Sequence, residues 1–140
     1  MRAVLAVLIA LGGCATDRGG SVQVREQIVA QELAEDKLLP LPGSCASACT
    51  MQLLDPNVCV HPNAEFGFHA ATHMLTGEIS PEATELVFAY YGNFPKLQAR
   101  LTRDKAMKRT ALTWYSGRTL IGYGVPKCPF TARAKSYKGA

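Results

Sequence analysis

The residue pattern predicts an α/β fold, a single small domain built of short strands and packed helices. Three observations carry that expectation. Apolar residues recur at helical spacing in several segments, and short apolar runs of strand type stand between them, the alternation that layered α/β proteins show. Serine and proline occupy positions at which helices start. With 140 residues, 48% hydrophobic and 19% charged, the chain can bury one ordinary core and not two.

Residues 1–14 read as an export signal rather than as part of the domain. Arg2 precedes an unbroken apolar run over residues 3–11, and small residues lead to Cys14. The run is too short to stay in a bilayer as a spanning helix. Its end, Leu11-Gly12-Gly13-Cys14, resembles a bacterial lipobox, which implies that Cys14 is lipidated and becomes the mature N-terminus, anchored at the periplasmic face of the envelope. A buried first strand is the other reading of the same run. Arg2, and the lack of any further charge before Asp17, favour the signal.

The domain follows over residues 15–128. A turn-rich loop at 15–21 leads into a helix over 22–36, whose expected buried stripe is Val24, Ile28, Val29 and Leu33. Residues 38–41 read as a short strand, weakened by Pro40. Residues 47–54 suit a short helix that stops at Asp55-Pro56-Asn57, and residues 58–61 and 65–69 are two strands split by Pro62-Asn63. Ser80 is the natural cap of a helix over 81–91, with Pro81 at its first position. Phe94-Pro95 restarts a helix running to about residue 103, and a last helix begins near Ser116 and ends in the 122–126 turn. Phe88, Tyr90, Tyr91 and Phe94 are expected in the core, and Trp114-Tyr115 packs near the last helix. Residues 129–140 form a polar, basic, frayed tail.

With Cys14 set aside, Cys45, Cys49, Cys59 and Cys128 form an even set, which fits two disulfides in an oxidising compartment. Four cysteines allow three pairings, and the sequence does not choose among them. The pairing preferred here is Cys49 with Cys59 and Cys45 with Cys128.

The net charge of +4 is spread along the chain and partly sits in the tail, at Lys127, Arg133, Lys135 and Lys138. No aromatic-interleaved basic motif accompanies it, which argues against nucleic acid as a partner and leaves a loose attraction to anionic envelope surfaces. Cys59, His61, His69 and His73 are the one set of residue types suited to zinc. On a continuing strand His69 and His73 would stand about 13 Å apart, too far to share an ion. No metal or other cofactor is therefore expected.

The segment that carries chemistry is Gly43-Ser44-Cys45-Ala46-Ser47-Ala48-Cys49-Thr50, followed by Glu65-Phe66-Gly67-Phe68-His69-Ala70. A serine hydroxyl is a poor nucleophile unless a base takes its proton and donors receive the resulting oxyanion. Ser47 opens a predicted helix, so the Ala48 amide and the helix dipole face an incoming anion. His69 ends a strand, where its imidazole is held and still meets a cleft. Gly19-Gly20 precedes the first helix, and glycine lets the backbone come close enough to offer a second donor. Each signal alone has a plainer reading: a capping serine, a core histidine, a turn.

Together they carry a resemblance. Gly19-Gly20-Ser21-Val22, then 27 residues from Gly20 to Ser47, then 22 from Ser47 to His69, resembles the Clp protease proteolytic subunit and its crotonase-fold relatives. The match is closest to a group of exported bacterial proteins of Clp-protease type with a Cys-x-Ser-Ala-Cys-Thr motif, here Cys45 to Thr50, a Cys-Val strand at Cys59-Val60 and a Gly-Phe-His-Ala strand at Gly67 to Ala70. Residues 115–125 look like that family's closing helix and Tyr-Gly turn, so the resemblance covers roughly residues 17–128. It implies a serine hydrolase of peptidase type acting on a peptide or acyl substrate. Ser47 would be the nucleophile, His69 the base, and Gly19 or Gly20 with Ala48 the oxyanion hole. Oligomers are implied as well, without a number. Arg18 stands where the family has proline. The family's aspartate should follow the histidine, and Asp104 is the one aspartate in that stretch, which makes it the candidate third residue of a Ser-His-Asp triad. The rival expectation is a catalytically degenerate, lipid-anchored envelope module of the same fold, in which Ser47 is a helix cap and the cysteines are clamps.

Overall fold

The computed structural model describes residues 16–134. The proposed signal and Cys14 lie outside the described residues, as does the end of the tail from residue 135. The chain is mixed α/β, as the pattern predicts.

Among the described residues the elements follow in the order β1 (Thr16–Asp17), α1 (Val22–Glu35), β2 (Leu39–Pro40), β3 (Ser44–Ala46), a 3-10 helix (Ser47–Leu54), β4 (Val58–Cys59), β5 (Glu65–Phe68), α2 (Pro81–Ala89), α3 (Pro95–Arg103), a short 3-10 turn (Ala106–Lys108), β6 (Thr113–Ser116) and α4 (Gly117–Gly122). The main sheet has the order β1-β3-β5-β6. β1, β3 and β5 run parallel, with Asp17 beside Cys45 and Cys45 beside Phe66, and β6 closes the edge antiparallel, with Tyr115 opposite Phe66. β2 and β4 pair parallel as a second, two-stranded sheet. Because three neighbouring strands point the same way, the loops leaving β1, β3 and β5 emerge at one edge. In open α/β sheets that carboxyl edge is where sites are built.

Local signals explain most of the elements. Ser21 caps α1 through a 3.5 Å bond from Val24 N to its hydroxyl, Ser80 caps α2 with Pro81 in the first turn, and Ser116 caps α4 by accepting from Thr119 N at 3.1 Å. Between the layers lies a core that includes Leu41, Met51, Leu53, Phe66, Phe68 and Leu97, all fully buried. Phe68 meets Tyr91 edge-on, with ring centroids 5.3 Å apart; of the four aromatics expected in the core, Tyr91 and Phe94 are buried, and Phe88 and Tyr90 are half-buried and packed against it.

Three expectations are corrected. The buried stripe of α1 is Arg25, Val29 and Glu32, whereas Val24 and Leu33 are over 40% exposed. An inward ion pair, described below, turns the helix away from its more apolar face. The 113–116 segment, where the pattern places only Trp114-Tyr115 packing near the last helix, is a strand, since its backbone completes the ladder of β5. The bridges are Cys45–Cys49 and Cys59–Cys128, not the preferred pairing. The turn after β3 brings Cys49 back beside Cys45, with Cα atoms 5.5 Å apart. Cys59 and Cys128 lie side by side because Val60 N donates to Pro126 O and Cys128 N to Val60 O. With 69 residues between its ends, the second bridge removes the more chain entropy, worth about 4 kcal/mol in the loop-closure account.

Two disulfides fit an extracytoplasmic protein, because such bridges persist in oxidising compartments. No helix among the described residues is long and apolar enough to cross a membrane. The start of the tail is tied down, as Ala132 O lies 2.9 Å from His61 Nε2.

Candidate active site

The three loops at the carboxyl edge of the sheet bring Gly19-Gly20, Ser47 and His69 together. Ser47 directly follows β3 and has a left-handed backbone, φ +57°, an uncommon and costly conformation for a residue with a side chain. That kink turns the strand into the 3-10 helix and lifts the hydroxyl out of the fold. The Cys45–Cys49 bridge spans the kink, with both cysteines fully buried. Thr50 Oγ1 donates to the Ser47 carbonyl at 2.6 Å. Having spent its one proton there, it accepts from the Tyr91 hydroxyl, also at 2.6 Å. Burial pushes the Tyr91 phenol well above its usual range, so it stays a neutral donor.

The cap position of the 3-10 helix belongs to Ala46, so Ser47 is not the cap. Its Oγ lies instead 2.7 Å from His69 Nε2. The other ring nitrogen, Nδ1, lies 2.6 Å from the Ala70 carbonyl oxygen. A carbonyl oxygen only accepts, so Nδ1 carries the proton and Nε2 is left as the acceptor for the serine proton. This is the tautomer that a general base toward Ser47 needs.

Asp104 is not the residue that orients His69. Its carboxylate accepts from the Tyr115 hydroxyl at 2.6 Å and from Arg100 Nε at 2.6 Å, with Arg103 Nε 3.4 Å away. These bonds, Tyr115 first and Arg100 second, hold its carboxyl down at about 2. Burial and the Asp104 bond push Tyr115 up to about 12. Asp104 is thus a surface clamp tying the end of α3 to β6. Arg100 and Arg103 belong to it.

A lowered carboxyl contributes stability above its unfolded value, near 3.9, and loses it as pH falls through about 2. Asp104→Asn is therefore expected to remove acid sensitivity from that window in a thermal melt while leaving Ser47 reactivity unchanged. A large loss of reactivity would return Asp104 to the site.

The oxyanion donors are also narrowed. Gly19 N donates to Asp17 Oδ1 at 2.9 Å, so this amide is committed. Gly20, at φ +119°, lines the cavity over Ser47, and its amide has no partner among the described residues. Ala48 lines the same cavity and lies in the open first turn of the 3-10 helix, where amides lack helical partners. Gly19 itself stands close to Ser47: a Cβ built there would be 2.6 Å from Ser47 Cβ and 2.8 Å from Ala48 N.

The cavity has a volume of about 420 Å³, and Val22, Ala48, Ala83 and Val87 give it an apolar wall beside Ser47 and His69. A turn closed by His73 N donating to Glu78 O flanks it, with Met74 and Leu75 almost fully exposed at its tip. Of the residue types suited to zinc, Cys59 is bonded to Cys128 and His69 to Ser47. No group of three potential ligands lies together among the described residues.

Comparison of the chain with protein-family models, with curated proteins and with solved structures finds no match in any of the three. The site therefore rests on its own geometry. Sequence reasoning missed Asp17, Arg25, Thr50, Tyr91 and the Ala70 carbonyl. A signal existed for one of them: Arg25, Val29 and Glu32 share a helical stripe, and two charges on one stripe with a valine mark an inward polar contact.

Proposed function

We propose that the protein is an exported serine hydrolase of peptidase type, with a Clp-protease and crotonase-like fold, acting through a Ser47–His69 dyad. The observation that carries the proposal is the 2.7 Å contact from Ser47 Oγ to His69 Nε2, with Nδ1 protonated against Ala70 O. In this reaction His69 takes the serine proton as Oγ bonds to the substrate carbonyl carbon. The Gly20 and Ala48 amides receive the oxyanion. His69 then passes the proton to the leaving amine or alcohol, and water, activated by the same imidazole, releases the acyl group. The substrate is a peptide or acyl compound that sets a small apolar group on the Ala48–Val87 wall. Lipidation of Cys14 would hold the enzyme at the periplasmic face, and homo-oligomers belong to the same family expectation.

The neutral Ala70 carbonyl, which cannot balance an imidazolium as a carboxylate does, favours a second reading: a catalytically degenerate binding module of the same fold. Against it, Ala46 and not Ser47 holds the cap position, and the Ser47 hydroxyl lies on His69 Nε2.

Labelling of the purified domain, disulfides intact, with a fluorophosphonate probe separates the two. Native protein labelled, and Ser47→Ala unlabelled, is the expected result. A folded native protein that does not react would exclude the hydrolase reading.

A further inference from the structure

Asp17 and Arg25 form a buried ion pair directly behind the glycine loop, and the proposed mechanism does not use it. Arg25 is fully buried and Asp17 is 5% exposed. Arg25 Nη2 donates to Asp17 Oδ2 at 2.7 Å and to Oδ1 at 2.9 Å. A buried pair of this kind adds little net stability over an apolar pair of similar volume, so register is the better account of it.

The same two residues hold both polar ends of Gly19. Asp17 Oδ1 accepts from Gly19 N at 2.9 Å, and Arg25 Nη2 reaches the Gly19 carbonyl at 3.4 Å. That carbonyl and the Gly20 N–H belong to one peptide plane. Since no peptide bond among the described residues is cis, they point in opposite directions. Gripping Gly19 O from the α1 side thus aims Gly20 N–H the other way. Gly19 has little room toward the Ser47 turn, since a Cβ built on it would stand 2.6 Å from Ser47 Cβ and 2.8 Å from Ala48 N.

Resting on the hydrolase reading, we infer that Asp17 and Arg25 are positioning residues that set the direction of the Gly20 oxyanion donor through the Gly19 peptide. They touch neither substrate nor His69. Their effect falls on the charge that develops in the transition state and not on substrate binding or on the proton transfer.

Two double variants test this, each removing both charges so that neither is orphaned. Asp17→Leu with Arg25→Met leaves Gly19 N without an acceptor and Gly19 O without a donor, while Asp17→Asn with Arg25→Gln keeps a side-chain oxygen for the first and a side-chain N–H for the second. The first is expected to react with the fluorophosphonate about 100-fold more slowly than native, the cost of one misplaced oxyanion donor. The second is expected to recover at least a tenfold part of that loss, about 1.4 kcal/mol. With p-nitrophenyl acetate the loss should fall on kcat at unchanged KM, and the pH profile should keep its midpoint. A merely structural role would produce none of these separations.

Native-rate labelling of the folded Asp17→Leu, Arg25→Met protein, or equal losses in both variants, would overturn the inference and leave the hydrolase standing. Unlabelled native protein would remove the hydrolase reading and this inference with it. Should the leucine variant not fold, amide exchange at Gly19 in the native protein decides: strong protection supports the clamp, and exchange at open-loop rates overturns it.

Discussion

Gly19→Ala is expected to slow fluorophosphonate labelling by about 100-fold or more, the loss that follows when reacting groups are displaced by about an ångström. The substitution also lowers stability by about 3 kcal/mol, the upper end of ordinary single-site effects. Two independent causes add. At φ +96° a residue with a Cβ is strained whatever surrounds it. The added methyl also has no way out, because two of the atoms it meets, Ala48 N and Ala46 O, are backbone atoms of the nucleophile turn, at 2.8 and 3.0 Å. A flexible side chain could rotate away; a peptide cannot. Either the glycine loop lifts off or Ser47 moves, and both separate the hydroxyl from the donors. Labelling measured well below the variant's own Tm isolates the catalytic part, and a native rate there would show that the loop does not bear on Ser47.

His69→Ala is expected to lower the labelling rate by about 1,000-fold, within the range that a positioned general base contributes. The expectation rests on Nε2 being the sole protein group that the Ser47 hydroxyl bonds among the described residues. Added imidazole should restore part of the rate, since a free base can enter the space that the ring vacates. Unchanged labelling of the alanine variant would mean that Ser47 reacts without His69 and that the 2.7 Å contact is structural.

The parts of this chain that were legible in its sequence are those fixed by neighbours along it. Ser80-Pro81, Pro95 and Ser116 announced α2, α3 and α4 because caps and first-turn prolines act within three or four residues. Ser47 and His69 were legible through their spacing, and the structure brings them into contact. What failed was non-local. β6 exists because β5 offers it a ladder, and Thr-Trp-Tyr-Ser has too little alternation to declare a strand alone. Asp104 was chosen as the one aspartate in the expected stretch, yet Arg100, four residues back on the same helix, and Tyr115 across the turn claim its carboxylate. The inward face of α1 was misread for a like reason: Val24 and Leu33 looked like the core, and the partner that draws Arg25 inward lies on another element. The disulfide pairing depended on how a left-handed serine folds the chain back on itself, which no count of cysteines contains.

The two bridges also differ in when they can exist. Cys45 and Cys49 are four residues apart, whereas Cys59 must wait for a partner 69 residues further on. A chain that emerges N-terminus first into an oxidant therefore presents, besides Cys14, the thiols of Cys45, Cys49 and Cys59 long before Cys128 arrives. Closing the shortest loop first consumes the two that flank Ser47 and leaves Cys59 unpaired, so the wrong Cys49–Cys59 link loses its thiol before the last segment is delivered. Seen this way, the bracket around Ser47 is a device of chronology. It commits the Ser47 turn early and reserves the remaining thiol for the bond that seals the finished domain.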